Sequence, residues 1–192
     1  MLLTILSFLI KCLGFQSNID DLIGVKGPLQ FNKTEFHLSL SGQPEKNMAL
    51  HVYLPKGEDL DNYNQKLSLI VLNTKKDVDG VVKAKLNDLA TRKKLDFNCN
   101  YSTQDIVEGK DVLVEYVQTE TNNKKLSEAE FNISRVKWLT DHDNGSYLLI
   151  YTYSWRTYDE EAVDMLKNIQ TYKLEFIQEL GKKEMPDVRL PK

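Results

Sequence analysis

Apolar and polar residues alternate in two segments near the start of the chain. In residues 36–40 (FHLSL) and 48–54 (MALHVYL), every second position is apolar, so these side chains share one face. This is typical of half-buried β-strands. Gly42 and Pro44 lie in the connection between them, so the pattern predicts a β-hairpin with a loop at residues 41–47. Residues 67–72 (LSLIVL) are apolar on both parities and predict a central strand that is covered on both faces.

Two later segments follow the 3.6-residue period of an amphipathic helix. Asp77 or Asp79 can cap a first helix, whose apolar positions are Val78, Val81, Val82, Leu86, Leu89 and Ala90. Thr157 and Glu160 have the spacing of a capping box that opens a second, longer helix. Its apolar face consists of Met165, Ile169, Tyr172, Phe176 and Leu180, and Gly181 is the predicted stop.

Four further strand-like segments lie between the two helices, at residues 97–107, 112–119, 131–139 and 147–155. The last two are joined by a turn at residues 141–145 that contains Asn144-Gly145, a strong hairpin signal. The predicted order is therefore β-β-β-α-β-β-β-β-α, without sustained strand–helix–strand alternation. We expect an α+β fold: an antiparallel β-sheet with a mid-chain helix and a long C-terminal helix packed on it.

The first 17 residues differ in composition from the rest of the chain. Residues 2–10 (LLTILSFLI) are too few to span a bilayer, which needs about 20 residues, but they match the apolar region of a secretory signal peptide. We therefore predict a signal peptide at residues 1–17, one α+β domain at residues 18–192, and a periplasmic or secreted location. Two alternatives stay open: a lipid anchor through Cys12, and a cytoplasmic protein in which this segment is structural.

Composition narrows the classes of function further. The chain has 192 residues, 41% of them hydrophobic, and a formal net charge of −3. This size fits a single domain, and the absence of a basic excess argues against nucleic-acid binding. No apolar run is long enough for a membrane-spanning segment. The two cysteines give no disulfide or zinc framework, so Cys99 is expected to be a buried thiol.

The order of elements over roughly residues 30–180 resembles the PsbP-like fold family, which includes the photosystem subunit PsbP, the Ran-binding protein Mog and DcrB-type periplasmic lipoproteins. The resemblance lies in the hairpin, the third strand and helix, the later antiparallel strands and the closing helix. It implies a non-catalytic scaffold that binds another macromolecule. It is architectural and assigns no functional residue.

The sequence contains no motif that would assign a reaction. A nucleophile elbow, a Cys/His signature and a glycine-rich phosphate loop are all missing, so we predict no catalytic residue and no cofactor, and whether the chain is an enzyme stays open. Glu115 is a carboxylate in an apolar strand. It is expected on a half-exposed face, although burial would suit it to general acid or base catalysis.

The three histidines do not complete a metal site. His37 and His51 would face each other in a hairpin whose paired residue numbers sum to 88, but two ligands are too few for a metal. His142 lies between two aspartates in the 141–145 turn, where short polar residues suit turn geometry. We predict no metal site. Four glycosylation sequons are interpreted as compositional, at Asn32, Asn100, Asn132 and Asn144.

Aromatic residues provide the candidate binding surface. One parity of the 147–155 strand carries Tyr147, Tyr151, Tyr153 and Trp155, and Trp138 ends the preceding strand. Such a face can bind a partner, because Tyr and Trp offer rigid area with a polar edge. The alternative is that the final helix packs there and the rings are core. The loop from Leu54 to Tyr63 is a second candidate surface.

These observations predict a non-catalytic secreted or periplasmic binding domain that recognises a protein or cell-envelope partner. The alternatives are a small-ligand carrier or enzyme with a pocket between the sheet and the C-terminal helix, or a cytosolic immunity-type protein. The sequence leaves the identity of the partner and the oligomeric state open.

Overall fold

The computed structural model describes residues 19–141 and 145–189, which form one eight-stranded antiparallel sheet and two helices. The strands lie in the order β1-β2-β3-β4-β8-β7-β6-β5. Their bounds are Leu29–Phe31 (β1), Thr34–Glu45 (β2), Met48–Pro55 (β3), Gln65–Leu72 (β4), Asn100–Val107 (β5), Asp111–Asn122 (β6), Lys125–Asp141 (β7) and Gly145–Tyr158 (β8). The helices are α1 (Val78–Arg92) and α2 (Asp159–Lys182). The expected α+β class is confirmed.

Each face of the sheet is covered by one helix. The α2 face contains Leu67, Leu69 and Val71 of β4, which pack in one cluster with the buried side of α2. The α1 face contains Ile70 and Leu72, which pack in a second cluster with α1. Residues 67–72 are all buried, so the prediction of a central strand covered on both faces is confirmed.

The two helices begin in different ways. Asp77 caps α1, since its carboxylate accepts a hydrogen bond from the Gly80 amide at 2.8 Å. The predicted capping box of α2 is wrong: β8 continues past Thr157, which pairs with Ala129, and α2 begins only at Asp159. Tyr158 is the N-cap and makes no side-chain capping bond. The acidic first turn of α2 still complements the positive end of the helix dipole.

A buried ion pair holds the C-terminal end of α2 against the sheet. The Arg135 guanidinium binds both carboxylate oxygens of Asp111, with Nε–Oδ1 at 2.8 Å and Nη2–Oδ2 at 2.7 Å. Its Nη1 donates to the carbonyl oxygens of Leu180 and Lys183 at 3.2 and 2.6 Å. One guanidinium therefore joins β6, β7 and carbonyl groups that the end of a helix leaves without partners.

The two ends of the described chain lie together on the α2 face. The Arg189 amide donates to the Ile23 carbonyl at 2.8 Å, and Ile23 and Val188 are both buried. The Tyr53 hydroxyl donates to the Val25 carbonyl at 2.5 Å. Residues 1–17, with the predicted signal peptide and Cys12, lie outside the described residues, as does the His142 turn.

Several element boundaries differ from the sequence-based prediction. β1 was not predicted, β2 continues through the expected loop to Glu45, and Gly181 lies inside α2. Tyr172 of the predicted apolar face is about half exposed. Residues 120–125, where β6 and β7 approach their connecting turn, are exposed and therefore lack an apolar pattern. None of the described helices is long and apolar enough to cross a membrane.

Replacing Arg135 tests the ion pair. We expect Arg135→Leu to lower the free energy of unfolding by about 3 kcal/mol, because among the described residues it leaves the buried Asp111 carboxylate with Lys137, at 3.3 Å, as its one charged partner. Urea denaturation measures the change. The double variant Asp111→Asn/Arg135→Leu should recover part of the loss, and a single variant as stable as the wild type would contradict this role.

Candidate functional site

The tyrosines of the predicted binding face are core residues. Tyr147, Tyr151 and Tyr153 are each at most 3% exposed and belong to the cluster under α2. The Tyr153 ring packs against Phe31 and Phe176, with ring centroids 4.4 and 5.0 Å apart. The prediction that these three tyrosines form an exposed binding face is wrong, because α2 covers the face that they share.

The two tryptophans lie on opposite faces of the sheet. Trp155 is half-buried on the α2 face and meets Tyr172 edge-on, with ring centroids 5.5 Å apart. Trp138 pairs with Leu148, which places it on the α1 face. The five predicted residues therefore do not form one surface. The parity of β8 was correctly deduced, but the register between β7 and β8 could not be read from the sequence.

The second candidate surface, the loop from Leu54 to Tyr63, is anchored at both ends in the core. Leu54 and Tyr63 are buried, whereas Lys56, Asp59 and Asp61 are exposed. The Glu58 carboxylate accepts hydrogen bonds from the amides of residues 64 and 65, at 2.7 and 3.0 Å. The loop thus presents a short acidic surface, and Tyr63 turns inward.

Tyr63 is the centre of a buried polar network on the α1 face. Its hydroxyl donates to the Glu130 carboxylate and accepts hydrogen bonds from Lys66 and Arg156. Glu130 also accepts from Arg156 Nε at 2.8 Å and from Asn132 Nδ2 at 3.0 Å. The network therefore links the loop from Leu54 to Tyr63 to β4, β7 and β8.

The charges of this network are matched to one another. Burial would raise the pKa of Glu130, but Lys66 and Arg156, with hydrogen bonds from Tyr63 and Asn132, hold that pKa at about 2. Burial lowers the pKa of Lys66 and raises that of Tyr63. Because each group already bonds to another, the network is suited to holding the strands together rather than to binding a ligand.

The histidines do not pair across the hairpin. Two irregularities in β2 shift the register, so His37 pairs with Leu54 and His51 with Ser41. His37 is exposed beside Glu35, whereas His51 is fully buried. Among residues 19–141 and 145–189, no group of three or more His, Cys, Asp or Glu is placed to hold a metal ion.

His51 instead secures the N-terminal segment. Tyr53 donates its proton to Val25, so His51 Nδ1 must donate to the Tyr53 oxygen, at 3.0 Å. Nε2 then accepts from the Leu22 amide at 3.2 Å. Both contacts fit a neutral imidazole, and burial lowers the pKa of His51 in the same direction.

A cleft of about 380 Å³ lies between α2 and the strands β5 and β6. Its apolar walls come from both elements and from the turn before β5, and include Phe97, Val117, Phe131, Leu166 and Ile169. Polar side chains enter from Ser102, Glu115 and Lys173. The volume is within the range of small-ligand pockets, and the place is the one expected for a pocket between sheet and C-terminal helix.

Glu115 lies in the wall of this cleft. Its Oε1 accepts hydrogen bonds from Ser102 Oγ at 2.7 Å and from Lys173 Nζ at 2.9 Å. Its Oε2 is buried and accepts no hydrogen bond from any described residue. Glu115 is therefore an ion-paired carboxylate with one free acceptor, more buried than the sequence suggested.

The edge strand β5 borders the cleft, and none of the described strands pairs with its outer side. Seven of its eight residues are exposed, and its only charged residue is Asp105. Large exposed apolar side chains lie directly before it and at its end: Leu95, Phe97, Ile106 and Val107. They are four of the eight such side chains among the described residues. Edge strands of this kind are available for pairing with another chain.

Sequence reasoning missed the open edge. The segment 97–107 was expected to be one strand, yet Phe97 precedes β5 and is 89% exposed. The available signal was the polar run from Ser102 to Asp105, which lacks the apolar alternation of a covered strand. Of the sequons, Asn132 is buried and Asn100 is exposed on β5, while Asn144 lies outside the described residues. Cys99 is a buried free thiol, as expected.

Comparison with known proteins gives one match. A protein-family model matches residues 23–185, a range that contains all eight strands and both helices. No curated protein and no solved structure matches the chain.

A matched pair of variants tests the core assignment of the aromatic face. The Tyr151 hydroxyl is buried and has no hydrogen-bond partner among the described residues, so Tyr151→Phe should leave stability unchanged or raise it by about 1 kcal/mol. Tyr53→Phe should lower stability by about 1–3 kcal/mol, because it removes the bonds to Val25 and His51. Urea denaturation compares them, and equal losses would contradict the assignment.

Glu130 makes the stability depend on pH. Its pKa is about 2 in the folded protein against 4.5 in the unfolded chain, so its contribution is complete above about pH 5 and is lost as the pH falls from 4.5 towards 2. The loss should reach roughly 3 kcal/mol. We expect urea unfolding between pH 7 and pH 3 to show a shallower pH dependence for Glu130→Gln than for the wild type. Parallel profiles would disprove the role of Glu130.

Proposed function

We propose that this chain, which belongs to the protein family whose model matches residues 23–185, is a non-catalytic binding protein. It binds a partner protein by adding an extended segment of that partner to its β5 edge. The open β5 edge with its flanking apolar side chains is the observation that carries the proposal. In this mode of recognition, main-chain hydrogen bonds supply affinity and neighbouring pockets supply specificity.

The chain between the two apolar residues at the start of this edge is anchored by Asp96. Asp96 is buried and accepts hydrogen bonds from the amide and hydroxyl of Thr119, both at 2.7 Å. Its neighbours Leu95 and Phe97 consequently point outward, 88% and 89% exposed. Isolated exposed apolar residues are common, but two that lie close together beside an open sheet edge are typical of an interaction site.

The two edges of the sheet differ in their protection. β1 has only three residues, and the Gln30 carbonyl accepts a hydrogen bond from Lys183 Nζ at 2.6 Å. β5 has eight residues, without lysine or proline, and its single irregularity lies near its end, between Asp105 and Val107. Since short strands, lysines and bulges block edge pairing, residues 100–104 form the least protected edge.

The wider setting of the proposal comes from the sequence. The signal-like segment at residues 1–17 favours a secreted or periplasmic protein, and the partner is then a protein of the same compartment or of the cell envelope. The resemblance to the PsbP-like fold family also favours a non-catalytic scaffold.

Capture of the partner tests the β5 edge. The tagged full chain is expressed in its native host, and the proteins that co-purify are quantified by mass spectrometry. Leu95→Ser/Phe97→Ser should reduce capture at least tenfold, because it removes the apolar contacts at the edge. Thr103→Lys should reduce it as well, since a lysine on an edge strand opposes pairing.

Leu174→Ser is the matched control, because Leu174 is equally apolar and 58% exposed but lies on α2. It should capture the partner at the wild-type level. Undiminished capture by both edge variants would contradict the proposal, and so would a wild-type chain that captures no protein. If the wild-type chain self-associates and the edge substitutions abolish this, the edge serves a second copy instead of a partner protein.

A further inference from the structure

The hydrogen-bond donors around Glu115 are distributed unevenly. Ser102 and Lys173 both donate to Oε1, whereas Oε2 is buried without a bond from any described residue. A buried acceptor without a donor costs free energy, more so when it is charged. A group that enters the cleft and donates one hydrogen bond to Oε2 would remove this cost.

The charge of the cleft is already balanced. Glu115 and Lys173 form an ion pair at 2.9 Å, and no other charged side chain of residues 19–141 and 145–189 lines the cleft. A charged ligand would therefore bring an uncompensated charge into a partly buried site, which is unfavourable. The cleft favours an uncharged occupant.

The remaining walls of the cleft favour an aromatic occupant. The rings of Phe97 and Phe131 line it, and Val117, Leu166 and Ile169 add aliphatic surface. Aromatic groups pack well against such walls in offset or edge-to-face geometry. A phenol combines an aromatic ring with a single neutral donor.

We propose that the cleft is a recognition site for a tyrosine side chain, whose ring packs among the aromatic and aliphatic walls and whose hydroxyl donates to Glu115 Oε2. This site rests on the proposed function, because the tyrosine that it recognises belongs to the partner segment that pairs with β5. Ser102 pairs with Glu115 and so projects on the α2 face of the sheet. A residue opposite Ser102 on an added strand would project on the same face, beside the mouth of the cleft.

Two small probes that differ by one hydroxyl test the site. N-acetyl-tyrosinamide and N-acetyl-phenylalaninamide are titrated into the full chain, and binding is followed by the chemical shifts of the backbone amides. We expect the tyrosine probe to bind about tenfold more tightly, the size expected for one hydrogen bond to a charged acceptor. The shifts should concentrate on residues 97–102, 115–117 and 166–173.

Glu115→Met should abolish the preference for tyrosine, because it removes the acceptor and keeps a side chain of similar length. Glu175→Met is the matched control, since Glu175 is exposed on α2 and does not line the cleft, and it should keep the preference. Equal binding of the two probes to the wild type would overturn the proposal. Shifts confined to other surfaces, or a preference that survives Glu115→Met, would do the same.

The probe titration and the capture experiment fail independently. A tyrosine preference that depends on Glu115, together with capture that ignores the β5 substitutions, would keep the cleft as a phenol site and reject strand addition as its source. Capture that depends on β5, without a tyrosine preference, would keep the proposed function and reject the tyrosine site.

Discussion

The packing of α2 against the aromatic face of β8 is the interaction on which the other features of this protein depend. Tyr153 and Phe176 meet at its centre, and Arg135 secures the far end of the helix to Asp111. Because α2 lies over the middle of the sheet, it buries the tyrosines that would otherwise form a binding surface. The same placement leaves a space between α2 and the strands β5 and β6, which is the cleft.

The buried polar groups on the two faces of the sheet differ in how completely they are hydrogen-bonded. The buried network of Tyr63, Lys66, Glu130 and Arg156 is closed, since each of its groups is bonded to another member. Glu115 is different, because its two donors share one oxygen and leave the other free. Burial of polar groups is tolerated where they are fully paired, so an incompletely paired one in a cleft is a more specific indication of ligand binding.

Much of the fold could be predicted from local patterns. Local patterns predicted the α+β class, the doubly covered β4, a cap of α1 at Asp77 or Asp79 and the burial of Cys99. The structure confirms them, with Asp77 as the cap. The capping box at Thr157 and the pairing of His37 with His51 failed for one reason: both depend on where a strand ends or slips relative to its partner. Irregularities in β2 shift that register without leaving a clear trace in the pattern of apolar residues.

By itself, the sequence determined which side chains share a face, because the period of two in strands and of 3.6 in helices is a local property of the backbone. It identified the parity of Tyr147, Tyr151, Tyr153 and Trp155 in this way. Only the tertiary structure decided which face α2 covers, that β5 is an edge, and that Glu115 meets Lys173 fifty-eight residues away. These outcomes depend on contacts between segments that are distant in sequence. Which contacts form is decided by the free energy of the whole fold, so the pattern of a single segment does not reveal them.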